Sequence, residues 1–340
     1  MENKIESVIT NSLAINKETT SKENIKNVIE QLHKSLTNSK DAMLVANEID
    51  IKNSNGFKLD FNVINQIFKN VEKETIYCGD VIYSERNNEK KFMYGKYLDS
   101  KGTILTINEG NTYVLLEMIL RNLMANNVLI INTSGYMYGT NNFLIEVLQA
   151  LLESNGYSKN QIQICISETC EEILKHYTSL DLVICIGNHN LQRFVQNHCK
   201  NELILSGYEN FDIYLETTKY IELINNIIKQ GVPIQFYINS KLNIDIENAI
   251  IVDDIEEAIA QINFNGNGYS TAIFTEDIES ASYFVKNIKS KIQTINTSPT
   301  IERICDINQQ SLMIEKTIVY PIGEITDTMK FDIAKLLQEN

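Results

Sequence analysis

The stretch GTILTINEGNTYVLLEMILRNLMANNVLIINTSG (residues 102–135) decides the fold class. It opens with a short apolar run, continues with a segment of helical periodicity, and returns to an apolar run at VLIIN (128–132). Strands that are buried on both faces have continuous apolar runs of this kind. The stretch therefore predicts a strand, a helix with Asn111 or Thr112 as its N-cap, and a second strand.

The same alternation of strand and helix patterns continues downstream. It covers residues 162–207 and, after an interval, residues 250–296. A last strand pattern at 315–323 contains Pro321, which suits an edge position because proline cannot donate a hydrogen bond to a neighbouring strand. Alternating strands and helices form right-handed parallel sheets. We therefore predict an α/β fold.

Upstream of residue 102 the patterns differ. The first seventy or so residues have helical periodicity, with Thr20 and Glu23 spaced as a capping box and another helix start at Asp60. Residues 80–99 contain two runs rich in Tyr, Val, Ile and Phe around a polar turn, which predicts a β-hairpin. We expect helices, then a hairpin, before the parallel sheet begins.

Composition limits the classes of partner. The chain has 340 residues, enough for about two domains, and a formal net charge of −14. Nucleic acids and anionic membranes attract clustered Lys and Arg, so this balance predicts neither as a partner. The start MENKIESVIT lacks the basic and apolar regions of a signal peptide, and the longest apolar runs have only strand length. We therefore expect a cytoplasmic protein.

The cysteines do not have the spacing of a metal site. There are six, none in a CxxC pair, and the four histidines lie apart from one another, so we predict no zinc centre. Cys165 and Cys185 lie within predicted buried strands. We interpret them as small core residues in a reducing compartment.

Two strand ends have the features of a ligand site. Ligands of parallel sheets bind at the carboxyl ends of the strands. One strand ends in Asn132, Thr133 and Ser134, and another is followed by Gly187 and Asn188. Each group precedes a predicted helix N-terminus, which favours a phosphate-bearing cofactor. Small residues also suit the turn itself, so both interpretations stay open here.

Three segments of the chain resemble one enzyme family. They share its order of elements, its Gly-rich turns and its strand ends. The segments are VLIINTSGYMYGTNNFLIEVLQALLESNGYSKNQIQIC (128–165), ICIGNHNLQRFVQNHCKNELILSGYENFDIYLE (184–216) and DDIEEAIAQINFNGNGYSTAIFTEDIESASYFVKNIKSKIQTINTS (253–298). The family is γ-glutamyl phosphate reductase, also called glutamate-5-semialdehyde dehydrogenase, a branch of the aldehyde dehydrogenase superfamily.

The resemblance implies an aldehyde-dehydrogenase-like architecture. It comprises an N-terminal helical segment (1–74), a Rossmann-like cofactor domain (75–205) that includes the hairpin 80–99, a catalytic α/β domain (206–305) and a C-terminal strand and tail (306–340). It also implies that the hairpin and tail serve oligomerisation, so that the chain forms a homo-oligomer. A small-molecule substrate and NADP or NAD as cofactor are further implications.

The chemistry that the resemblance implies needs a thiolate. A cysteine attacks the acyl group, a thioester forms, and hydride from NADPH reduces it. Carried onto this sequence, the family's cysteine falls on Gln235, and a carboxamide cannot form a thioester. Asn132 stands where the wider superfamily has a basic residue near the cofactor ribose, and either Asn111 or Tyr113 falls at the position of the family's oxyanion-stabilising asparagine. Cys305 is the best substitute thiol.

Three hypotheses follow. In the first, the chain is a catalytically degenerate relative that retains the fold. In the second, it is an active NAD(P)-dependent oxidoreductase that uses another thiol, with Cys305 as the candidate. In the third, it is a structural or assembly subunit.

Overall fold

The computed structural model describes eleven segments of the chain. They are residues 2–15, 21–54, 58–87, 92–133, 135–166, 170–187, 189–206, 211–228, 234–266, 268–299 and 307–321. The chain divides into two compact units, one made of Met1–Cys185, Val195–Ile204 and Ile307–Asn340, the other of Ile186–Phe194 and Leu205–Asp306. The four-part division that the resemblance implies stays a prediction.

Helices and strands alternate as predicted. The helices are α1 (Glu2–Leu13), α2 (Lys22–Asn38), α3 (Lys40–Ser54), α4 (Phe61–Glu72), α5 (Thr112–Met124), α6 (Tyr138–Ser154), α7 (Glu171–Leu174), α8 (His189–His198), α9 (Ile221–Ile228), α10 (Ile255–Asn265) and α11 (Ile278–Asn287). Across the described part of the chain, none of these helices combines the length and apolar character needed to cross a membrane.

The strands number thirteen in the segments that the structure describes. They are β1 (Val81–Asn87), β2 (Phe92–Ser100), β3 (Thr103–Asn108), β4 (Val128–Thr133), β5 (Ile162–Ile166), β6 (Leu182–Ile186), β7 (Leu203–Ser206), β8 (Phe211–Leu215), β9 (Ile234–Asn239), β10 (Ile250–Val252), β11 (Ser270–Phe274), β12 (Ile292–Ile295) and β13 (Met313–Pro321).

The first sheet has the strand order β5-β4-β3-β6-β7. Its pairs β3–β4 and β4–β5 are parallel. Every residue of β3, β4 and β6 is buried, as the continuous apolar runs predicted. In chain order the arrangement is 3-2-1-4-5, so the direction of strand addition reverses between β3 and β6. That reversal makes this point the expected place for a ligand.

The N-terminal helices belong to the unit that contains this sheet. Gln163 of β5 donates to the Val8 carbonyl oxygen (3.1 Å) and to the Ser12 hydroxyl (2.7 Å), so α1 lies over one face of the sheet. The cap of α2 is Ser21, whose hydroxyl accepts from the Asn24 N–H (3.2 Å), so the predicted capping role of Thr20 is wrong. A capping side chain must reach the N–H of the first turn, and the helix begins one residue later than predicted.

The second sheet repeats the topology of the first. Its order is β10-β9-β8-β11-β12, and all four of its strand pairs are parallel. Tyr214 and Tyr237 pack with residues of α10 and α11 on one face, while Ile213 and Phe236 pack with residues of α9 on the other. Both faces are therefore covered, as a parallel sheet requires.

The predicted hairpin is present and carries a third strand. β1 and β2 pair antiparallel, and β13 pairs antiparallel with the other edge of β2. Pro321 ends β13 at the edge of this sheet, as predicted. Apolar side chains remain exposed on both outer strands, including Tyr83 on β1 and Val319 on β13.

Candidate functional site

Polar side chains gather at the carboxyl end of β3 and β4 in the first unit. Asn108 lies opposite Thr133 in the parallel register, and Thr106 lies two residues before Asn108 on the same face of β3. Asn132 projects to the opposite face, the one that α1 covers. All four side chains are buried. The sheet therefore places neutral hydrogen-bonding groups on both of its faces at this edge.

The side-chain amide of Asn108 has a donor without a hydrogen-bond partner among the described residues. Its Oδ1 accepts from the Gly110 N–H (2.8 Å), but within the described residues its Nδ2 has no hydrogen-bond partner, and neither has the hydroxyl of Thr106. Asn108 is only 3% exposed. A buried donor without a partner costs about 1 to 3 kcal/mol, so such groups are few in native proteins. This amide could bind an acceptor atom of a ligand.

The residues that follow β3 hold the turn in place. Asn111 is the N-cap of α5, as one of the two predicted choices, and its Oδ1 accepts from the N–H groups of Tyr113 (2.8 Å) and Val114 (3.3 Å). Asn141 donates to the Gly110 carbonyl oxygen (2.8 Å) and accepts from the Thr112 hydroxyl (2.7 Å). The side-chain oxygen of Asn111 thus caps the helix, and the oxyanion role that the resemblance implies for this residue stays a prediction.

The N-terminus of α6, which follows β4, is occupied by a side chain of the protein. The Asp50 carboxylate of α3 accepts from the N–H groups of Gly139 (2.9 Å) and Thr140 (2.8 Å) and from the Thr140 hydroxyl (2.6 Å). A β-carbon on Gly139 would lie 3.2 Å from the Asp50 Oδ1. Two N–H groups at this helix start therefore already donate to a carboxylate, and the predicted phosphate-binding role of the turn stays a prediction. Sequence reasoning missed Asp50, because a cap 89 residues away in the chain leaves no local pattern.

The other predicted site residues have partners within the protein or fall outside the described segments. Asn132 donates to the Cys165 carbonyl oxygen (3.4 Å). Gly187, which belongs to the second unit, donates its N–H to the Ser206 carbonyl oxygen (3.2 Å). Ser134, Asn188 and Cys305 lie outside the described residues.

Gln235 is the second residue of β9 in the second unit. Its Nε2 donates to the carbonyl oxygens of Asn248 (3.0 Å) and Phe236 (3.1 Å). Its register partner on β8 is Asp212, so it lies at the amino end of the parallel sheet. Ligands of such sheets bind at the opposite, carboxyl end. The position that the resemblance gives to the nucleophile therefore carries a hydrogen-bonded amide inside a strand.

Most of the thiols in the described segments are protected from ionisation. Burial raises the pKa of Cys185 to about 12, with smaller contributions from Cys170 and Glu109. Burial also raises the pKa of Cys170 and of Cys199. A thiol with a raised pKa is a poor nucleophile near neutral pH. Among the described residues, no three His, Cys, Asp or Glu side chains come together as a metal site would require.

Asp212 is an unusual acid in the second unit. It is 4% exposed, and burial raises its pKa to about 7, although a hydrogen bond from the Tyr237 hydroxyl acts in the opposite direction. A β-carbon on Gly266 would lie 2.6 Å from the Asp212 Oδ2, so only glycine fits beside the carboxyl group. Sequence reasoning missed this residue, because an aspartate in a strand of five residues gives no sign of its burial.

Comparisons of the sequence agree with the resemblance. No protein-family model matches the chain. The chain is 22% identical to the gamma-glutamyl phosphate reductase of Actinobacillus succinogenes, in an alignment that covers 79% of this chain and 82% of that protein. It is 21% identical to the protein of the same name from Nitratiruptor, with coverage of 80% and 83%. The similarity to gamma-glutamyl phosphate reductases that the sequence predicted is confirmed.

Comparisons of the structure establish the fold. The crystal structure of gamma-glutamyl phosphate reductase from Thermotoga maritima matches with a TM-score of 0.64 and 16% identity, over 95% of this chain and 98% of that one. An acetylating aldehyde dehydrogenase from Geobacillus thermoglucosidasius matches with a TM-score of 0.71 and 11% identity, over 95% and 98%. NADP-dependent glyceraldehyde-3-phosphate dehydrogenase from Bacillus halodurans, complexed with NADP, matches with a TM-score of 0.68 and 11% identity, over 95% of this chain and 92% of that one. The chain has the aldehyde dehydrogenase fold.

Proposed function

We propose that this chain is an aldehyde-dehydrogenase-fold protein that binds a nicotinamide dinucleotide and does not form a thioester at residue 235. The observation that carries the first part is the unpartnered Nδ2 of Asn108 at the carboxyl end of β3. The observation that carries the second is the hydrogen-bonded carboxamide of Gln235 within β9. The chain is, in this proposal, a relative of gamma-glutamyl phosphate reductase that retains the cofactor fold without its thiol chemistry.

Three features support the cofactor. The first sheet has the strand order 3-2-1-4-5 of nucleotide-binding sheets, and Asn108 ends the strand at which that order reverses. A structural neighbour of the same fold is complexed with NADP. The buried amide of Asn108 has an unused donor for a ligand acceptor atom. When bound, a nicotinamide ring exchanges a hydride with a substrate.

The chemistry of the side chains supports the loss of the thioester route. A carboxamide has no lone pair of sufficient nucleophilicity to displace an acyl group, whereas a thiolate has. The Nε2 of Gln235 is held by the Asn248 carbonyl oxygen at 3.0 Å. The thiols of Cys170, Cys185 and Cys199 have raised pKa values and belong to the first unit. None of the three is suited to replace the nucleophile.

One observation favours a second candidate function. In the sequence, Cys305 is the single cysteine among the residues of the second unit. The alternative is an active NAD(P)-dependent aldehyde or acyl-phosphate oxidoreductase in which the thiolate of Cys305 forms the thioester. Both functions share the cofactor and differ in turnover.

The test measures binding and turnover on the same purified protein. NADH and NADPH binding is followed by cofactor fluorescence, and oxidation of glutamate-5-semialdehyde in the presence of phosphate is followed by cofactor reduction. The proposal expects cofactor binding without turnover, in the wild type and in Cys305→Ser alike. Turnover that Cys305→Ser abolishes, while the matched variant Cys78→Ser retains it, would establish the alternative. Binding of neither cofactor would contradict the cofactor part of the proposal.

We also propose that the chain forms a homo-oligomer through the sheet of β1, β2 and β13. Its outer strands expose Val81 (43%), Tyr83 (44%) and Val319 (63%), and open strand edges of this kind pair readily with a second copy. Sedimentation of the full chain checks this, with Val319→Lys as the variant. We expect the wild type to sediment as an oligomer and Val319→Lys to shift the mass toward that of the monomer. A wild type that sediments as a monomer would contradict the proposal.

A further inference from the structure

We propose that the carboxyl edge of the first sheet selects NAD(H) over NADP(H). The inference rests on the proposed function, in which a nicotinamide dinucleotide binds at this edge. It concerns the 2′-position of the adenosine ribose, which is a hydroxyl group in one cofactor and a phosphate in the other. The charges that the protein places around β4 and the start of α6 carry the inference.

The segment that would meet the 2′-position contains no cation. In sheets of this order the end of the second strand, here β4, lies next to the adenosine ribose, and recognition of a 2′-phosphate uses an arginine near that point. Residues 122–158, which include all of β4 and α6, contain no Lys, Arg or His. The last residues of β4 are the neutral Asn132 and Thr133. Nothing in this segment can neutralise a phosphate.

The carboxylate of Asp50, a residue of α3, lies at the start of α6, where a helix could otherwise bind an anion. A helix N-terminus offers N–H groups and a positive dipole end to an anion. Here the N–H groups of Gly139 and Thr140 already donate to the Asp50 carboxylate, at 2.9 and 2.8 Å. Asp50 is 5% exposed, so solvent screens its charge weakly. A 2′-phosphate near this turn would be repelled by the Asp50 carboxylate. It could not accept hydrogen bonds from the N–H groups of Gly139 and Thr140, because these already donate to Asp50.

The remaining polar groups at this edge suit a hydroxyl better than a phosphate. The side chains of Asn108, Asn132 and Thr133 are uncharged, and the unpartnered Nδ2 of Asn108 can donate a hydrogen bond to a ribose hydroxyl. A phosphate has only acceptors near neutral pH and gains most from charged donors, which are stronger. The composition of the edge thus favours the unphosphorylated ribose.

The experiment is isothermal titration calorimetry of the full chain with NADH and with NADPH, repeated with 5′-AMP and adenosine 2′,5′-bisphosphate. We expect NADH to bind at least about tenfold more tightly than NADPH, which corresponds to about 1.4 kcal/mol. We expect 5′-AMP to bind more tightly than adenosine 2′,5′-bisphosphate, because this pair too differs only in the group at the 2′-position.

Two variants test the cause. Asp50→Asn removes the charge and keeps an oxygen for the cap, and Tyr138→Arg adds a cation at the exposed first residue of α6. Each should tighten NADPH binding by about threefold to tenfold and leave NADH binding unchanged. The matched controls are Asp41→Asn, an exposed aspartate of α3, and Tyr177→Arg, an exposed tyrosine far along the chain; both should leave the ratio unchanged. Thermal unfolding establishes that each variant folds, and Tyr138→Arg replaces a side chain that is 53% exposed.

The outcomes separate this inference from the proposed function. Tighter binding of NADPH, or equal binding of both cofactors, would overturn the selectivity and leave the proposed function standing. A preference for NADH that neither Asp50→Asn nor Tyr138→Arg reduces would overturn the assigned cause. Binding of neither cofactor would overturn the proposed function and the selectivity together.

Discussion

The two parallel sheets have one topology and differ in what lies at their strand ends. Both have the chain order 3-2-1-4-5, so the order reverses between β3 and β6 in the first sheet and between β8 and β11 in the second. In the first, the Nδ2 of Asn108 at the reversal point has no partner among the described residues. In the second, Glu216 follows β8, and both of its carboxylate oxygens accept hydrogen bonds, from Thr275 and Ser280.

This difference shows that strand order alone does not make a ligand site. The reversal point provides space because the following helices diverge there, but a ligand also needs hydrogen-bonding groups that the protein has not used. The second sheet uses its groups internally, since the Thr275 N–H also donates to Asn296 (2.9 Å). In the first sheet, the Nδ2 of Asn108 and the hydroxyl of Thr106 have no hydrogen-bond partner among the described residues. Among the described residues, the first sheet therefore has unpartnered polar atoms at its carboxyl edge and the second has none.

The second sheet has a buried acid with a raised pKa at its amino end. Asp212 lies near the amino end of β8, and burial raises its pKa to about 7. Asn108 and Asp212 can therefore be compared by exchanging their side chains: one is a buried amide at the proposed cofactor site, and the other is a buried acid without an assigned role. Replacing each by the other's side chain separates the cost of burial from the benefit of ligand binding.

The largest effect is expected for Asn108→Asp. The side chain keeps its shape, so the oxygen that accepts from Gly110 remains, but the unpartnered donor becomes a buried carboxylate oxygen. An uncompensated buried charge costs about 3 kcal/mol or more, and we expect that loss of stability at pH 8 in urea unfolding. We also expect cofactor binding to fall below detection, because the donor is gone and a negative charge stands in its place.

The control for this change is Asn160→Asp, which has the same chemistry in the connection that precedes β5. Asn160 takes part in a surface turn, where its N–H donates to Ser158. It should alter neither stability nor cofactor binding measurably. An Asn108→Asp variant with wild-type cofactor affinity would show that the comparison between the two sheets misplaces the ligand.

An effect of opposite sign, on stability alone, is expected for Asp212→Asn. The folded-state pKa of Asp212, about 7, lies above the ordinary value of 3.8, so the folded protein retains a proton that the unfolded chain has released. Stability from this group is therefore present at low pH and is lost as the pH rises from about 4 through 7. The amide cannot ionise, so we expect Asp212→Asn to be more stable than the wild type at pH 8 by up to about 4 kcal/mol, the free energy that corresponds to a difference of about 3 between the two pKa values.

Urea unfolding from pH 5 to pH 8 measures this effect. The difference between variant and wild type should grow with pH across that range. Asp245→Asn, an exposed aspartate of the same unit, is the matched control and should follow the wild-type curve. Parallel curves for Asp212→Asn and wild type would mean that Asp212 does not titrate in this window.

The sequence predicted those parts of the molecule that local patterns determine. The apolar runs of β3, β4 and β6 predicted the parallel sheet. Asp60 was predicted as a helix start and Asn111 as one of two candidate caps, because a capping side chain lies beside the helix that it caps. Features that depend on distant contacts were missed. The Asp50 cap of α6 and the burial of Asp212 arise from packing between elements far apart in the chain, and composition and spacing carry no sign of them.

The smallest and most local comparison concerns Gly266 and Gly268, two glycines of one turn beside Asp212. Gly266 has an ordinary φ of −69°, but a β-carbon there would lie 2.6 Å from both the Asp212 Oδ2 and the Ile262 carbonyl oxygen. Gly268 has a φ of +69° and open space around the position of a β-carbon. One glycine is needed for lack of space, the other for its backbone conformation.

The two alanine variants should therefore behave differently. We expect Gly266→Ala to cost about 1 to 2 kcal/mol in urea unfolding, since either the Asp212 side chain or the end of α10 must move. Gly268→Ala should cost about 1 kcal/mol from its left-handed conformation alone. Because Gly266→Ala would displace the carboxyl group toward solvent, it should also weaken the pH dependence that Asp212 creates, whereas Gly268→Ala should leave it intact. Equal pH dependence in both variants would show that the close approach of Gly266 does not help to bury Asp212.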